Sequence, residues 1–275
     1  MARKNYFDII GTIEFNGDRE LKHLRDLLEK RKFYRNYRKT SICDVISDNF
    51  VYYLNRGTFI DYVQMEEYIL SSTSNAIDQL FLLSEFLVDI FDNIWKCFTS
   101  EEQRFIEIIK ENINRFLDLA NHEMIELENG REIIVEKNVY ASQVSQIISE
   151  TNIYESMKVL EYNHFANKGN VECKREILIS LARYLEPLRG EVNSSEELKE
   201  VLKANNKKII AIDKLFEMYN QLGLRHNNSK QYHTNMTDEE CEQWYDDIYT
   251  STLFVVLSID EAKILSRLKE IKRDS

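Results

Sequence analysis

The stretch IIAIDKLFEMYNQLG, residues 209–223, shows most clearly how this chain folds. Its large apolar side chains recur every three or four residues, the spacing of one helix face, at Ile209, Ile212, Leu215, Phe216, Tyr219 and Leu222. Gly223 follows the last of them, in the place where a glycine commonly ends a helix. The sequence therefore predicts an amphipathic helix that buries this stripe and ends at Gly223.

The segments on either side carry the same kind of pattern. Upstream, a helical unit is expected from about Asn152, with Pro187 and Gly190 ending a helix whose apolar stripe is Ile177, Leu178, Leu181, Tyr184, Leu185 and Leu188. Ser194 to Glu197 and Thr237 to Glu240 fit the capping-box pattern that begins a helix. The second box opens a long final helix with apolar positions Trp244, Ile248, Val255, Ile259 and Ala262, continuing toward Ile271. Residues 151–275 are therefore predicted to form an antiparallel helical bundle.

The first half of the chain is predicted to be a separate helical domain, residues 1–125. Helices are expected near 19–38, 41–55, 59–71, 74–97 and 101–125, the last opened by a Thr99 to Glu102 capping box. Asn129-Gly130 then lies between short segments rich in Ile, Leu and Val, which is typical of a β-hairpin. The hairpin and a connector take residues 126–150, so the fold class is all-α with one short hairpin between two helical domains.

Composition supports this class and narrows the function. One proline and seven glycines in 275 residues favour helix. A net charge of -11 excludes a general nucleic-acid coat, so any nucleic-acid site must be a local positive patch. The four cysteines include no C-x-x-C pair, so neither a zinc ribbon nor a disulfide framework is expected.

No membrane association is expected from the sequence. Asp8 and Glu14 interrupt the amino-terminal segment before an apolar stretch of signal-peptide length develops. The most apolar run, residues 80–95, carries Glu85, Asp89 and Asp92, so it is predicted to be a core helix rather than a membrane span. These carboxylates share a helix face, but without a matching histidine-bearing helix a diiron site is not expected. We expect a cytoplasmic protein.

The segment RHNNSKQYH, residues 225–233, brings together the side chains best suited to chemistry. An imidazole from His226 or His233 can take the proton of an RNA 2′-hydroxyl, and the Arg225 guanidinium can stabilise charge on the phosphorus, without metal or cofactor. The alternative is that Arg225 and His226 are cations that complement a helix C-terminus. His226, His233 and Cys241 match no familiar zinc spacing, so no metal site is expected.

Three phrases in the second half resemble the abortive-infection family of bacterial phage-defence proteins, whose carboxy-terminal unit belongs to the HEPN superfamily. They are INRFLDLANHEMIELENGREIIVEKNVYASQVSQIISE from Ile113, NKGNVECKREILISLARYLEPLRGE from Asn167 and LFEMYNQLGLRHNN from Leu215. The resemblance implies a four-helix bundle that forms a homodimer. It also implies an endoribonuclease that cleaves RNA such as tRNA or mRNA and arrests growth, under the control of a phage trigger or a cognate inhibitor.

The resemblance also assigns roles to residues. Arg225 takes the place of the arginine of the family's Arg-x4-6-His motif, and His226 takes the place of the polar residue after it. Seven residues separate Arg225 from His233, one more than the motif allows, so either His233 acts from a longer loop or His226 supplies the imidazole. RNA-positioning residues are Asn227, Asn228, Lys230 and Tyr232. The alternative implied by the same family is a non-catalytic HEPN-like dimeric module that binds and regulates a partner.

Two further charged segments have functional interpretations. Residues 22–39 hold eight basic residues against two acidic ones, interleaved with Phe33, Tyr34 and Tyr37, which suits either nucleic-acid contact or a solvated helix face. In the second case the helix covers a core stripe of Leu21, Leu24, Leu28 and Phe33. Asp238, Glu239, Glu240 and Glu242 suit the first turn of the last helix and are expected either to pair with Arg225 or to repel RNA.

Overall fold

The computed structural model describes residues 14–35, 37–202, 204–205, 208–225 and 236–273, and the chain divides into two compact units between Glu136 and Lys137. The described residues are mainly helical, with short two-stranded hairpins, which confirms the all-α class. None of the described helices has both the length and the apolar composition that crossing a membrane requires.

The first unit contains helices of 8 to 20 residues. Its helices are α1 (Gly17–Lys30), α2 (Ile42–Asn49), α3 (Tyr62–Ser71), α4 (Ala76–Asn93) and α5 (Ser100–Leu119), with 3-10 turns at Phe50–Tyr52 and Trp95–Cys97. Helix α4 contributes the largest share of the core, since Leu80, Leu83, Leu87 and Ile90 are all fully buried. The Thr99–Glu102 capping box that was predicted to open α5 is confirmed.

The predicted helix over 19–38 is wrong from residue 31 onward. Helix α1 ends at Lys30, and strands β1 (Phe33–Arg35) and β2 (Arg38–Thr40) form an antiparallel hairpin. Phe33 is buried, whereas Tyr34, next along the strand, is exposed, which is the alternation of a strand. Leu24, Leu28 and Phe33 are buried as predicted, but Phe33 reaches the core from the hairpin.

The second hairpin confirms the Asn129-Gly130 prediction. Strand β3 (His122–Glu126) pairs with β4 (Glu132–Glu136), and Gly130 has a φ of 76°, a backbone conformation that glycine adopts without strain. The helix predicted to run to residue 125 ends at Leu119, because the chain turns at Asn121, whose φ is 59°. The residues after this turn, predicted to be helical, are instead the first strand of the hairpin.

The second unit consists of short helices and one helix of 36 residues. It contains α6 (Val139–Ser149), α7 (Ile153–Glu161), a 3-10 turn at Phe165–Asn167, α8 (Val171–Leu185), α9 (Arg189–Ser194), α10 (Glu196–Val201), strands β5 (Ala204–Asn205) and β6 (Lys208–Ile209), α11 (Ile210–Gln221) and α12 (Asp238–Arg273). The stretch predicted to be a connector therefore contains helix α6, whose Ala141, Val144 and Ile148 are buried in the core of this unit.

Two of the helical stripes predicted for this unit are confirmed. On α8, Ile177, Leu178, Leu181 and Leu185 are buried, while Tyr184 and the following Leu188 pack partly buried against them. All six apolar positions between Ile209 and Leu222 are also buried. Trp244, by contrast, is 44% exposed, so it does not belong to the inner stripe of α12.

The helix boundaries of this unit match the predictions only in part. The Thr237–Glu240 capping box is confirmed by hydrogen bonds in both directions. The Ser194–Glu197 box is wrong, because Ser195 caps α10 by accepting the Leu198 N–H, and Ser194 is the last residue of α9. Helix α8 ends before Pro187 as predicted, whereas Gly190 lies inside α9 rather than ending a helix.

Candidate functional site

The C-terminal end of α11 fixes the position of Arg225. Gly223 has a φ of 67° and its N–H donates to the Asn220 carbonyl, while the Leu224 N–H donates to the Tyr219 carbonyl at 2.8 Å. These two bonds form the glycine-dependent helix ending known as the Schellman motif, so the predicted role of Gly223 is confirmed. Leu224 is buried next to this turn, and Arg225 follows it directly.

The Arg225 guanidinium is turned into the protein. It donates to the carboxylate of Glu186, the residue that follows α8, and its Nη1 donates to Asn220 Oδ1 at 3.2 Å. The guanidinium carbon lies 5.1 Å from the centre of the Phe216 ring, within cation–π range. Only 8% of the side chain is exposed, and desolvation by this burial lowers the pKa of Arg225.

A second arginine lies against the same ring. The Arg189 guanidinium carbon is 4.7 Å from the centre of Phe216, and its Nη2 donates to Asp213 at 2.9 Å. The Arg189 side chain is 35% exposed, so water solvates it far more than it solvates Arg225. Each guanidinium is therefore neutralised by a carboxylate of this unit, but only Arg225 is close to fully buried.

The expected pairing of Arg225 with the acidic first turn of α12 is wrong. Glu240 belongs to the capping box with Thr237, and Glu242 pairs with Lys174. Arg225 pairs with Glu186 instead, at the end of α8. The alternative interpretation, in which Arg225 is a cation that complements a helix C-terminus, is therefore met in part. Arg225 lies at the C-terminal end of α11, but it donates to the side chains of Glu186 and Asn220 rather than to the last helix carbonyls.

The remaining predicted site residues lie outside the described part of the chain. They are His226, Asn227, Asn228, Lys230, Tyr232 and His233. Convergence of an imidazole with the Arg225 guanidinium therefore stays a prediction.

A polar cluster that the sequence did not reveal lies between α8 and α12. Lys174 is 7% exposed, and its ammonium donates to Glu242 Oε1 at 2.7 Å and to Asp246 Oδ1 at 2.8 Å. Tyr162 donates to the same Asp246 oxygen at 2.8 Å, and its ring stacks on Tyr249 with 3.9 Å between the ring centres. The only hint in the sequence is that the two carboxylates lie one turn apart on α12.

The electrostatics of this cluster are those of a structural network. Hydrogen bonds from the Lys174 ammonium and the Gly169 N–H lower the pKa of Glu242. Burial, and then the Asp246 carboxylate, raise the pKa of the Tyr162 phenol, which therefore stays protonated at neutral pH. The Lys174 ammonium and the Tyr162 hydroxyl donate to the carboxylates of Glu242 and Asp246, so the four side chains satisfy one another's hydrogen bonds, as in a structural network.

Within the described ranges, no three or more His, Cys, Asp or Glu side chains gather in a way that could hold a metal ion. Cys43, Cys97, Cys173 and Cys241 are all free thiols.

Comparison of the chain with family models, with curated proteins and with solved structures finds no match. Membership of the abortive-infection family therefore stays a prediction from the three phrases of sequence.

Proposed function

We propose that the protein acts in phage defence as a non-catalytic module, in which a HEPN-like bundle in the second unit forms a dimer and regulates a partner. The family and the dimer rest on the sequence resemblance. The observation that carries the non-catalytic assignment is the internal pairing of Arg225 with Glu186.

The pairing of Arg225 with Glu186 bears on catalysis because RNA cleavage would require a guanidinium that can reach the phosphate. A ribonuclease of this kind must offer its guanidinium to a phosphate as negative charge develops there. Here a carboxylate already holds the guanidinium, an aromatic ring covers it and 8% of the side chain remains exposed. A phosphate would first have to displace Glu186. The geometry therefore supports a structural role for Arg225, which links the end of α11 to the end of α8.

The test is to incubate the purified full-length protein with tRNA and with total RNA in the presence of a chelator. We expect no cleavage products, and we expect light scattering to give a particle of twice the 32.8 kDa chain mass. The non-catalytic assignment would be overturned if the unaltered protein gave products ending in a 2′,3′-cyclic phosphate and if His226→Ala or His233→Ala abolished them. A monomeric particle would remove the dimer from the proposal.

The second candidate is a metal-independent endoribonuclease that arrests growth. One observation favours it: Arg225 lies directly before the segment that carries His226 and His233. In this reaction the 2′-hydroxyl would lose its proton to an imidazole and its oxygen would bond to phosphorus. The bond from phosphorus to the 5′-oxygen would break, and the imidazolium would return a proton to the leaving 5′-oxygen. Glu186→Ala distinguishes the candidates, since it would free the guanidinium and raise cleavage in a ribonuclease but leave a non-catalytic module inactive.

A further inference from the structure

The segment KRKFYRNYRK, residues 30–39, is the most basic part of this acidic chain. It holds six cations, three aromatic residues and no acidic residue, while the whole chain has a net charge of -11. In the structure it leaves α1 and forms the β1–β2 hairpin. Its side chains fall into two groups, one turned toward the first unit and one turned toward solvent.

The inward group fastens the hairpin to the first unit. The buried Phe33 ring packs 5.4 Å from that of Phe105, and the Arg31 guanidinium lies over both rings. Arg35 donates to the Cys97 carbonyl at 2.9 Å and lies 3.6 Å from the buried carboxylate of Glu102.

Two more cations of the segment are occupied by ion pairs. Lys30 pairs with Asp26 at 2.6 Å, and Lys32 pairs with Asp44 at 3.2 Å. Four of the six cations are therefore engaged in holding the segment in place, and two remain.

The outward group consists of Tyr34, Tyr37, Arg38 and Lys39. The two tyrosines are 73% and 94% exposed, and Tyr34 is directly opposite Lys39 across the hairpin. Arg38 and Lys39 are exposed, and the described residues provide neither of them with a carboxylate within 4.0 Å. Two uncovered rings therefore lie beside two cations that no carboxylate in the described part of the chain neutralises.

The turn residue Tyr37 adds a second observation. Its φ is 63°, in the left-handed region that a bulky side chain rarely adopts. A glycine or an asparagine would fit this position with less strain, and the tyrosine gains no packing in return because it is 94% exposed. Stability of the first unit therefore does not explain why an aromatic residue occupies the turn.

We propose that Tyr34, Tyr37, Arg38 and Lys39 form a contact surface for single-stranded nucleic acid. Unpaired bases stack on exposed aromatic rings, and cations alongside bind the phosphates, without need for a particular base sequence. The bases of a duplex are already stacked on one another, so a duplex would not use the two rings. An acidic peptide would bind the two cations but would not account for the exposed rings. This surface lies in the first unit and does not depend on what the second unit does.

The test measures fluorescence anisotropy of a labelled oligouridine of about 15 nucleotides with the full-length protein, at about 50 and about 200 mM salt. Tyr34→Ala/Tyr37→Ala is expected to weaken binding about tenfold or more, because two stacking surfaces are lost. Arg38→Ser/Lys39→Ser is expected to weaken binding and to reduce the slope of log affinity against log salt by about 1.4, or about 0.7 for each phosphate contact.

Matched controls carry the same substitutions elsewhere in the first unit. Tyr52→Ala/Tyr68→Ala removes two rings that are 62% and 63% exposed, and Lys96→Ser/Arg104→Ser removes one exposed lysine and one exposed arginine. Both controls are expected to bind like the unaltered protein. Thermal melts should show that all four variants fold, because every altered side chain is exposed.

Three results would overturn the proposal. One is an unaltered protein that does not bind the oligouridine at the lower salt. Another is an equal loss in the hairpin and control variants, which would indicate general electrostatic attraction. The third is hairpin variants that bind RNA normally but no longer bind vesicles containing anionic lipid, which would assign the surface to membranes.

Discussion

Replacing Arg225 by alanine is expected to lower the free energy of unfolding of the second unit by about 2–3 kcal/mol. The substitution removes the ion pair with Glu186, the hydrogen bond to Asn220 and the contact with the Phe216 ring. Breaking a fully buried ion pair costs about 3–5 kcal/mol, and the smaller value expected here reflects the 45% exposure of the Glu186 side chain. Urea denaturation followed by circular dichroism measures the loss.

Arg189→Ala is the matched control for this experiment. Arg189 lies on the same Phe216 ring and has its own carboxylate partner, Asp213, but both side chains of that pair are more than a third exposed. Solvent screening should hold its loss below about 1 kcal/mol. Equal losses of unfolding free energy in the two variants would show that the burial of Arg225 does not increase its contribution to stability. No measurable loss in Arg225→Ala would contradict the structural role.

This expectation also decides how activity assays should be interpreted. If Arg225→Ala partly unfolds the second unit, then a loss of toxicity or RNA cleavage in that variant does not identify a catalytic arginine. Variants at His226 and His233, which leave both Arg225 and Glu186 in the sequence, are the informative ones for cleavage.

Replacing Lys174 by methionine is expected to cost about 2–3 kcal/mol at pH 7. The substitution keeps an unbranched side chain of similar size but removes the ammonium that donates hydrogen bonds to both Glu242 and Asp246. Glu242 is 22% exposed and Asp246 is 51% exposed, so solvent relieves part of the repulsion. Lys158→Met, at a single partly exposed pair with Glu161 on α7, is the control and should lose less than about 1 kcal/mol.

The effect of Lys174→Met should depend on pH in a definite direction. The pKa of Glu242 is lowered from 4.5 in the folded protein, so its ion pair contributes fully above about pH 4.5 and is lost as the pH falls through the lowered value. The unaltered protein should therefore lose this contribution on acidification, and the difference between it and the variant should narrow. Measuring unfolding from pH 7 down to about pH 3 tests this, and a difference that stays constant across the range would contradict it.

The parts of the fold that the sequence predicted correctly are those fixed by neighbours in the chain. The stripe from Ile209 to Leu222, the Gly223 helix ending and the Asn129-Gly130 turn all depend on residues within a few positions of one another. The Ser194 error has a different origin, because Ser195 also has the hydroxyl needed to cap a helix, and the capping-box pattern alone does not choose between adjacent serines.

The failures come from partners far apart in the sequence. The β1–β2 hairpin depends on Phe33 packing against Phe105, which a helical pattern of charges over 22–39 does not reveal. Arg225 bonds to a carboxylate 39 positions earlier, and Lys174 to carboxylates 68 and 72 positions later. No rule based on neighbouring residues predicts that Arg225 pairs with Glu186 rather than with one of the four acidic residues at 238–242. The candidate site could therefore be located from the sequence, but the ion-pair partner of Arg225 could not.

The Lys174 cluster also has a consequence for biosynthesis. A nascent chain that has not yet emerged beyond Thr237 contains the ammonium of α8 but neither of its counter-charges, and the core face completed by Ile248 on α12 is still open. The second unit therefore cannot close until α12 has been synthesised. A stop codon immediately before residue 238 should yield a polypeptide that proteases degrade, even though helices α1 to α11 are encoded in full.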